Sequence, residues 1–162
     1  MGIHLYRIDD RLIHGQVVVG WGQPLNIRFL VLVDDLVASS DWEKDLYRMA
    51  VPPEMEIYFA DVVTAIRNHA QYASDPRPGI LITGDISSMQ RLVREVKAIG
   101  SVNLGGIHHR AGRAEKLRYV FLTPEEEHQL RDLEAAGVEV TAQDVPSARA
   151  RPLSEVLEGE SR

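Results

Sequence analysis

Phe29-Leu30-Val31-Leu32-Val33, followed at once by Asp34 and Asp35, is the segment that decides the fold. A continuous run of apolar and β-branched residues of this length is typical of a strand with both faces buried. Such strands belong to parallel sheets, because helices cover both sides of those sheets. Ile80-Leu81-Ile82 repeats the pattern and predicts a second interior strand.

Helical patterns fill the intervals between the apolar runs, which is the alternation expected of βαβ units and a mainly parallel sheet. Capping residues predict helices that begin near residues 40, 61, 85 and 123, and the helical spacing of Trp42 predicts that it lies in the core. The last of these helices ends at Gly137, and a short helix is expected near the C-terminus. Further strands are predicted over 5–8, 55–59, 101–104, 117–122 and 138–141. The chain is therefore expected to be an α/β protein.

Composition limits the classes of function. The 162 residues, 44% hydrophobic and 26% charged, suit one globular domain over 1–162. The net charge of -6 argues against a nucleic-acid partner, and the lack of cysteine excludes disulfides and cysteine-based metal or redox chemistry. No apolar run approaches the roughly 20 residues of a membrane span, and the N-terminus lacks the pattern of a signal peptide. A cytoplasmic protein is expected.

The densest cluster of charged side chains follows the first predicted strand, in Arg7-Ile8-Asp9-Asp10-Arg11-Leu12-Ile13-His14-Gly15-Gln16-Val17. The next helix is predicted over 15–25, although its three consecutive valines favour a strand by propensity. The cluster thus falls on a turn at the carboxyl end of a strand, where ligands of α/β proteins usually bind.

The residue types in this turn suit phosphoryl chemistry. His14 is a nucleophile that changes charge near neutral pH, and Arg11 offers a planar fork of donors to a phosphoryl group. Gly15 permits close approach to the backbone, and the following helix would present its N–H groups to an anion. Asp9 and Asp10 would orient the imidazole or hold Arg11. This pattern predicts a histidine that accepts a phosphoryl group.

The residues alone leave other interpretations open. An Asp-Arg pair on a turn is commonly a solvated ion pair, and a histidine near a helix start is commonly a cap. The predicted strand ends also bring Asp9, Asp10, Asp34 and Asp35 to one rim, where a metal could bind with His14 or His108 as a further ligand. A receiver-like domain, with the phosphoryl group on Asp34 or Asp35 and Mg²⁺ beside it, is another possibility.

The run from Ile8 to Val17, with Trp21 after it, resembles the IIB component of the mannose/fructose/sorbose family of the bacterial phosphoenolpyruvate-dependent sugar phosphotransferase system. The resemblance extends over about 3–157. It is carried further by segments around Val33-Asp34-Asp35, Val102 to His108 and Leu133 to Pro146. It implies an open three-layer α/β/α fold with a mostly parallel sheet of about six or seven strands.

The resemblance implies a phosphotransferase in which His14 takes the phosphoryl group, through Nδ1, from the phosphohistidine of a IIA protein or domain. His14 would then donate it to a hexose bound by the membrane subunits IIC and IID. No cofactor or metal is implied. A regulatory phosphohistidine protein without transport fits the same residues. Membrane association would be peripheral, through the partner subunits.

The site residues follow from the same resemblance. Arg11 matches the arginine beside the active histidine, and a wider set is expected to bind the phosphoryl group or support the site: Asp9, Asp10, Gly15, Gln16 and Thr83. Thr83-Gly84-Asp85 stands where the family often has a lysine with Ser or Thr and Pro. Asp85 is predicted to cap the following helix.

Two further features concern partner contacts. Trp21 is a candidate for a partner surface, since it lies beside the motif. The basic stretch of Arg110, Arg113, Lys116 and Arg118 is either a solvated loop or a face for an acidic IIA partner.

Overall fold

A seven-stranded sheet organises the structure, a computed structural model that describes residues 2–158 apart from the side chain of Gln16. The strand order is β3-β2-β4-β1-β5-β8-β9, and every pair is parallel except β8 with β9. The strands of this sheet are β1 (Gly2–Ile8), β2 (Phe29–Val33), β3 (Glu56–Ala60), β4 (Pro78–Thr83), β5 (Ser101–Leu104), β8 (Glu139–Ala142) and β9 (Arg151–Pro152). The predicted open, mostly parallel sheet is confirmed.

Helices lie between the strands, as the sequence pattern predicts. A π-helix spans Gln16–Trp21. The α-helices are α1 (Asp35–Ala38), α2 (Asp41–Ala50), α3 (Val62–Ser74), α4 (Ile86–Glu95), α5 (Pro124–Ala135) and α6 (Leu153–Glu158). Side-chain caps fix several of their starts, including the predicted capping box between Thr123 and Glu126 at α5. Among the described residues, no helix has the length and apolar character needed to cross a membrane.

Successive side chains of the central strands pack alternately into two separate hydrophobic cores, one on each face of the sheet. In β2, Phe29, Val31 and Val33 face the core beneath α3 to α6, while Leu30 and Leu32 face the core beneath the π-helix. All five side chains are fully buried. A strand that serves both cores has no polar face, which explains the continuous apolar run.

Chain direction creates a crevice at the carboxyl ends of β1 and β5. These strands are neighbours, with Ile8 paired to Leu104. After β1 the chain enters the π-helix over one face of the sheet, whereas after β5 it continues to α5 over the other face. Loops that diverge in this way leave a cleft between them, the usual ligand position in open α/β sheets.

Three sequence expectations need correction. The strand predicted over 117–122 is a hairpin outside the main sheet, formed by β6 (Ala114–Leu117) and β7 (Val120–Leu122). The helix predicted over 15–25 is shorter and has π-type bonds, such as the 2.9 Å bond that Gly22 N–H donates to the carbonyl of Val17.

The third correction concerns Trp42. Its side chain is 68% exposed rather than in the core, because α2 contributes no buried residue and turns Trp42, Leu46 and Met49 outward. Helical spacing predicts that these residues share one face of the helix, but it does not say whether another element covers that face.

Candidate functional site

The loop after β1 folds back on itself so that residues 9–14 stay at the crevice. Asp9 N–H donates to the carbonyl of Thr83 at 2.9 Å, and Leu12 N–H donates to the carbonyl of Asp9 at 2.9 Å. Leu12 has a φ of 59°, a left-handed conformation that costs a leucine about 1 kcal/mol or more. Its buried side chain, packed beside Gly84, offsets that cost. The strained turn brings His14 close to Asp9.

Asp9 binds His14 from beneath. The Asp9 side chain is fully buried, and its Oδ2 lies 3.3 Å from Nε2 of His14. Burial alone would raise the pKa of Asp9, but the hydrogen bond with His14, the charge of Arg7 and the backbone N–H of Arg11 outweigh it and hold the pKa below its ordinary value. An ionised carboxylate accepts only, so Nε2 carries the hydrogen and the lone pair of a neutral imidazole is on Nδ1.

A second oxygen of the same carboxylate holds Arg11. Oδ1 of Asp9 accepts from the backbone N–H of Arg11 at 3.1 Å and lies 3.4 Å from its side-chain Nε. The Arg11 side chain is 38% exposed. One carboxylate therefore holds both the predicted nucleophile and the predicted phosphoryl-binding cation.

Arg7 supports Asp9 from inside the sheet. It is fully buried, and its Nη2 donates to Asp9 Oδ2 at 3.2 Å and to the carbonyl of Asp144 at 3.1 Å. Its Nη1 donates to Asn103 Oδ1 and to the carbonyl of Gln143. Burial lowers the pKa of Arg7, and the charge of Asp9 opposes that change. Arg7 and Asp9 thus form a buried ion pair, and the carboxylate of that pair is the one that contacts His14.

The sequence pattern predicted no role for Arg7, although its position in the first strand indicates one. A charged residue inside the central strand, two positions before Asp9, shares its face of the strand. Trp21 completes the same pocket, with its ring 5.0 Å from the Arg7 guanidinium and its Nε1 donating to the carbonyl of Asp144 at 3.2 Å. Trp21 is buried, so the expectation of a partner surface there is wrong.

Gly105 leaves room for this buried ion pair. A Cβ at this position would stand 2.3 Å from Arg7 Nη2 and 2.6 Å from Asp9 Oδ2. Real side chains do not tolerate such distances, so the backbone after β5 must carry glycine where it passes the pair. The segment that resembles the family over Val102 to His108 thus has a local physical reason.

The Asp10 side chain binds the loop that follows β5. Its Oδ1 lies 2.6 Å from Nδ1 of His108, and its Oδ2 accepts from the backbone N–H of His108 at 2.7 Å. Its own N–H donates to the carbonyl of Gly106 at 2.8 Å. Asp10 therefore joins the two rim loops and, unlike Asp9, orients His108 instead of His14.

Of the other predicted site residues, Thr83 ends β4, and Gly15 and Gln16 lie at the start of the π-helix. Thr83 is fully buried, and its hydroxyl donates to the carbonyl of Asp85 at 3.0 Å, so it supports the turn after β4. Gly15 is exposed and immediately precedes the π-helix, with open space around its Cα. Gln16 begins that helix, and its side chain lies outside the described part of the structure.

The other acids of the rim cap helices. Asp34 accepts from the N–H groups of Leu36 and Val37 at α1, and Asp85 accepts from Ser88 N–H at 2.7 Å. The capping role predicted for Asp85 is therefore confirmed. Asp35 accepts from Val62 N–H at 2.9 Å. Within residues 2–158, no three or more His, Asp or Glu side chains are grouped so as to hold a metal ion.

The basic stretch after β5 is partly neutralised. Arg113 forms a two-point ion pair with Glu126, at 3.0 and 2.8 Å, and Lys116 lies 3.0 Å from Glu127. Arg110 and Arg118 are exposed. The stretch therefore anchors the loop to α5 and turns only some of its cations to solvent.

Several known proteins resemble this chain over most of its length. The chain matches the family described as PTS system sorbose subfamily IIB component over residues 3–162. It is 32% identical over 151 residues to the PTS system sorbose-specific EIIB component of Klebsiella pneumoniae, covering 91% of this chain and 90% of that protein.

A longer relative and a solved structure indicate the same family. The mannose-specific EIIAB component of Escherichia coli K12 is 35% identical over 147 residues, 90% of this chain, but the chain spans only 45% of that protein's length. The crystal structure of the IIBSor domain of the K. pneumoniae sorbose permease superposes with a TM-score of 0.88 at 28% identity, covering 99% and 98% of the two chains. The family resemblance of the first motif is confirmed: the chain belongs to the sorbose subfamily of PTS IIB components.

Proposed function

We propose that this chain is a phosphotransferase that carries a phosphoryl group on Nδ1 of His14. The group comes from the phosphohistidine of a IIA protein or domain and passes to a hexose bound by the membrane subunits IIC and IID. The observation that supports the proposal most directly is the contact between Asp9 Oδ2 and Nε2 of His14. Because this contact assigns the hydrogen to Nε2, it leaves Nδ1 as the nucleophilic nitrogen.

The transfer needs little from the protein beyond position and charge. Nδ1 of His14 forms a bond to phosphorus as the N–P bond of the donor breaks, and the released imidazole leaves with its electron pair. Arg11, held by Asp9, offsets the charge on the phosphoryl oxygens. In the second transfer, the sugar hydroxyl forms the new O–P bond and releases its proton to solvent, while the bond between phosphorus and His14 breaks and its electron pair returns to Nδ1.

The Arg7–Asp9 pair suits this cycle. Asp9 stays ionised across the physiological range because its pKa is held low, so its charge stabilises the imidazole as positive charge develops on it. Burial and pairing with Arg7 keep Asp9 fixed. The proposal places the chain in the cytoplasm, peripherally bound to the membrane through its partner subunits.

Labelling tests the proposal. The chain is incubated with phosphoenolpyruvate, enzyme I, the carrier HPr and the IIA portion of the E. coli mannose-specific EIIAB protein. Phosphoramidate, a small phosphoryl donor, serves in parallel without any partner. We expect a label that survives alkali, is lost in acid and is absent from His14→Asn. Label that persists in this variant, or that alkali removes as it does an acyl phosphate, would contradict the proposal.

A further inference from the structure

The two consecutive acids after β1 each bind a histidine, and the proposed function assigns a role to only one of these histidines, His14. Asp9 binds Nε2 of His14, while Asp10 binds Nδ1 of His108, at 3.3 and 2.6 Å. The nitrogens that these carboxylates do not contact are Nδ1 of His14 and Nε2 of His108. We propose that His108 is a second imidazole of the site, which contacts the transferring phosphoryl group through Nε2. This inference rests on the proposed function of His14.

The position of the His108 ring supports this role. A Cβ on Gly106 would stand 3.3 Å from Cε1 of His108 and 3.5 Å from both Nε and Nη2 of Arg11. The ring and the guanidinium thus flank the same small patch of backbone. Because Arg11 and His14 share the carboxylate of Asp9, all three side chains border one crevice. Because Gly106 has no side chain, the His108 ring and the Arg11 guanidinium can both lie against its backbone.

Rigidity distinguishes His108 from an ordinary surface histidine. Its side chain is 56% exposed, yet its loop is fixed on both sides of the residue. Its backbone N–H donates to Asp10 at 2.7 Å, and its carbonyl accepts from Arg113 at 2.7 Å. Arg113 is itself held by Glu126 of α5. An imidazole oriented by a carboxylate on one nitrogen presents the other in a defined direction, and little entropy is lost when it binds.

The charges around His108 suit a phosphoryl group. A ring that donates to Asp10 through Nδ1 and to a phosphoryl oxygen through Nε2 has both of its nitrogen donors paired with an anion. Arg11 is the cation beside the His108 ring, whereas the charge of Arg113 is already paired with Glu126. His108 gives a hydrogen bond and forms no covalent bond, so the N–P bond to His14 still forms as that of the donor breaks.

The test compares His108→Gln with His109→Gln. His109 is the adjacent exposed histidine, and its ring packs edge-on against Phe121 at 5.7 Å between centroids. In His108→Gln the backbone bonds to Asp10 and Arg113 survive, so the loop keeps its anchors. Melting temperatures of both variants verify that the fold is intact.

Two measurements follow. Each protein is phosphorylated with phosphoramidate, and the ³¹P resonance of phospho-His14 is recorded. Then kcat and KM are measured with the phosphorylated IIA portion of E. coli EIIAB. For His108→Gln we expect a displaced resonance and a kcat lower by about tenfold or more, with KM unchanged, because one charge-assisted bond to the moving group is lost. His109→Gln should match the wild type.

Each other result overturns the inference. An unchanged resonance excludes contact with the phosphoryl group, even if kcat falls. An effect on KM alone makes His108 a docking residue, and an unchanged kcat leaves it outside the transfer step. Failure of the wild type to form phospho-His14 with either phosphoramidate or the phosphorylated IIA portion is a different outcome, since it removes the proposed function itself.

Discussion

Oδ2 of the fully buried Asp9 lies 3.3 Å from Nε2 of His14 and 3.2 Å from Nη2 of Arg7. One carboxylate oxygen thus joins the partly exposed imidazole of the proposed nucleophile to a cation inside the sheet. Removal of its charge should affect both, because Arg7 would remain buried without an anion and Nε2 of His14 would lose its fixed acceptor.

The first prediction therefore concerns Asp9→Asn. Loss of one partner of a buried ion pair costs about 3 to 5 kcal/mol, so urea unfolding should show a large decrease in stability. The initial rate of phosphorylation should also fall, because an amide NH₂ directed at Nε2 favours the imidazole tautomer with its hydrogen on Nδ1. Asp45→Asn is the control, since its exposed pair with Arg48 is worth about 1 kcal/mol or less. Equal stability of the two variants would refute the buried pair.

Arg11→Ala separates catalysis from folding. The side chain is partly exposed, so its removal should leave the melting temperature nearly unchanged. A charge-assisted contact with the moving phosphoryl group is worth about 1.5 to 3 kcal/mol, so phosphorylation should be slower by roughly one to two orders of magnitude. Arg28→Ala, an exposed arginine just before β2 at the opposite end of the sheet, should leave the rate unchanged. Equal rates in both variants would exclude Arg11 from the transfer.

The sequence predicts the sheet and the first loop well, because both depend on local patterns. The apolar run of β2 is explained by its two cores, and the motif around His14 needs only neighbours in the chain: Asp9, Arg11 and His14 lie within six consecutive residues. Capping patterns give the starts of α3, α4 and α5. These features require no knowledge of distant contacts.

Features set by distant contacts are the ones that the sequence did not reveal. Asp10 meets His108 across 98 residues, and Arg7 meets the carbonyl of Gln143 across 136. Trp21 is buried because Arg7 and Asp144 lie beside it, whereas Trp42 is exposed because no element among residues 2–158 covers its face of α2. Periodicity identifies an apolar face, but the tertiary arrangement decides whether that face is buried.

Gly105→Ala tests the space behind the ion pair. The added methyl group would lie 2.3 Å from Arg7 and 2.6 Å from Asp9, so one of the two must move. We expect lower stability in urea unfolding and slower phosphorylation of His14. Gly100→Ala is the matched control, because no atom of the described residues lies within 4 Å of the new methyl group there. If both variants unfold at the same urea concentration, the close approach at Gly105 is refuted.

His69 predicts how stability depends on pH. It is buried in α3, its Nε2 lies 2.6 Å from the hydroxyl of Tyr6, and burial lowers its pKa below the ordinary value of about 6.5. The unfolded chain then binds a proton more readily than the folded one, so stability falls as pH decreases below about 6.5. His69→Gln should show a smaller decrease between pH 7.5 and pH 5.5, whereas His128→Gln, at an exposed position, should keep the wild-type slope. Parallel pH profiles for wild type and His69→Gln would contradict this assignment.

Asp85→Ala distinguishes a helix cap from a charge that acts on the site. Asp85 accepts from Ser88 N–H at 2.7 Å at the start of α4, so its loss should lower stability by about 1 kcal/mol. The rate of phosphorylation should hardly change, because the Asp85 carboxylate is bound to the start of α4. The bond that the Thr83 hydroxyl donates to the backbone carbonyl of residue 85 does not depend on this side chain and should persist. Asp61→Ala removes the equivalent cap of α3, where Thr64 N–H donates at 2.7 Å, and should have an effect of similar size. A faster rate for Asp85→Ala at unchanged stability would mean that its charge repels the incoming phosphoryl group, and that the carboxylate in Thr83-Gly84-Asp85 slows phosphotransfer instead of stabilising the fold.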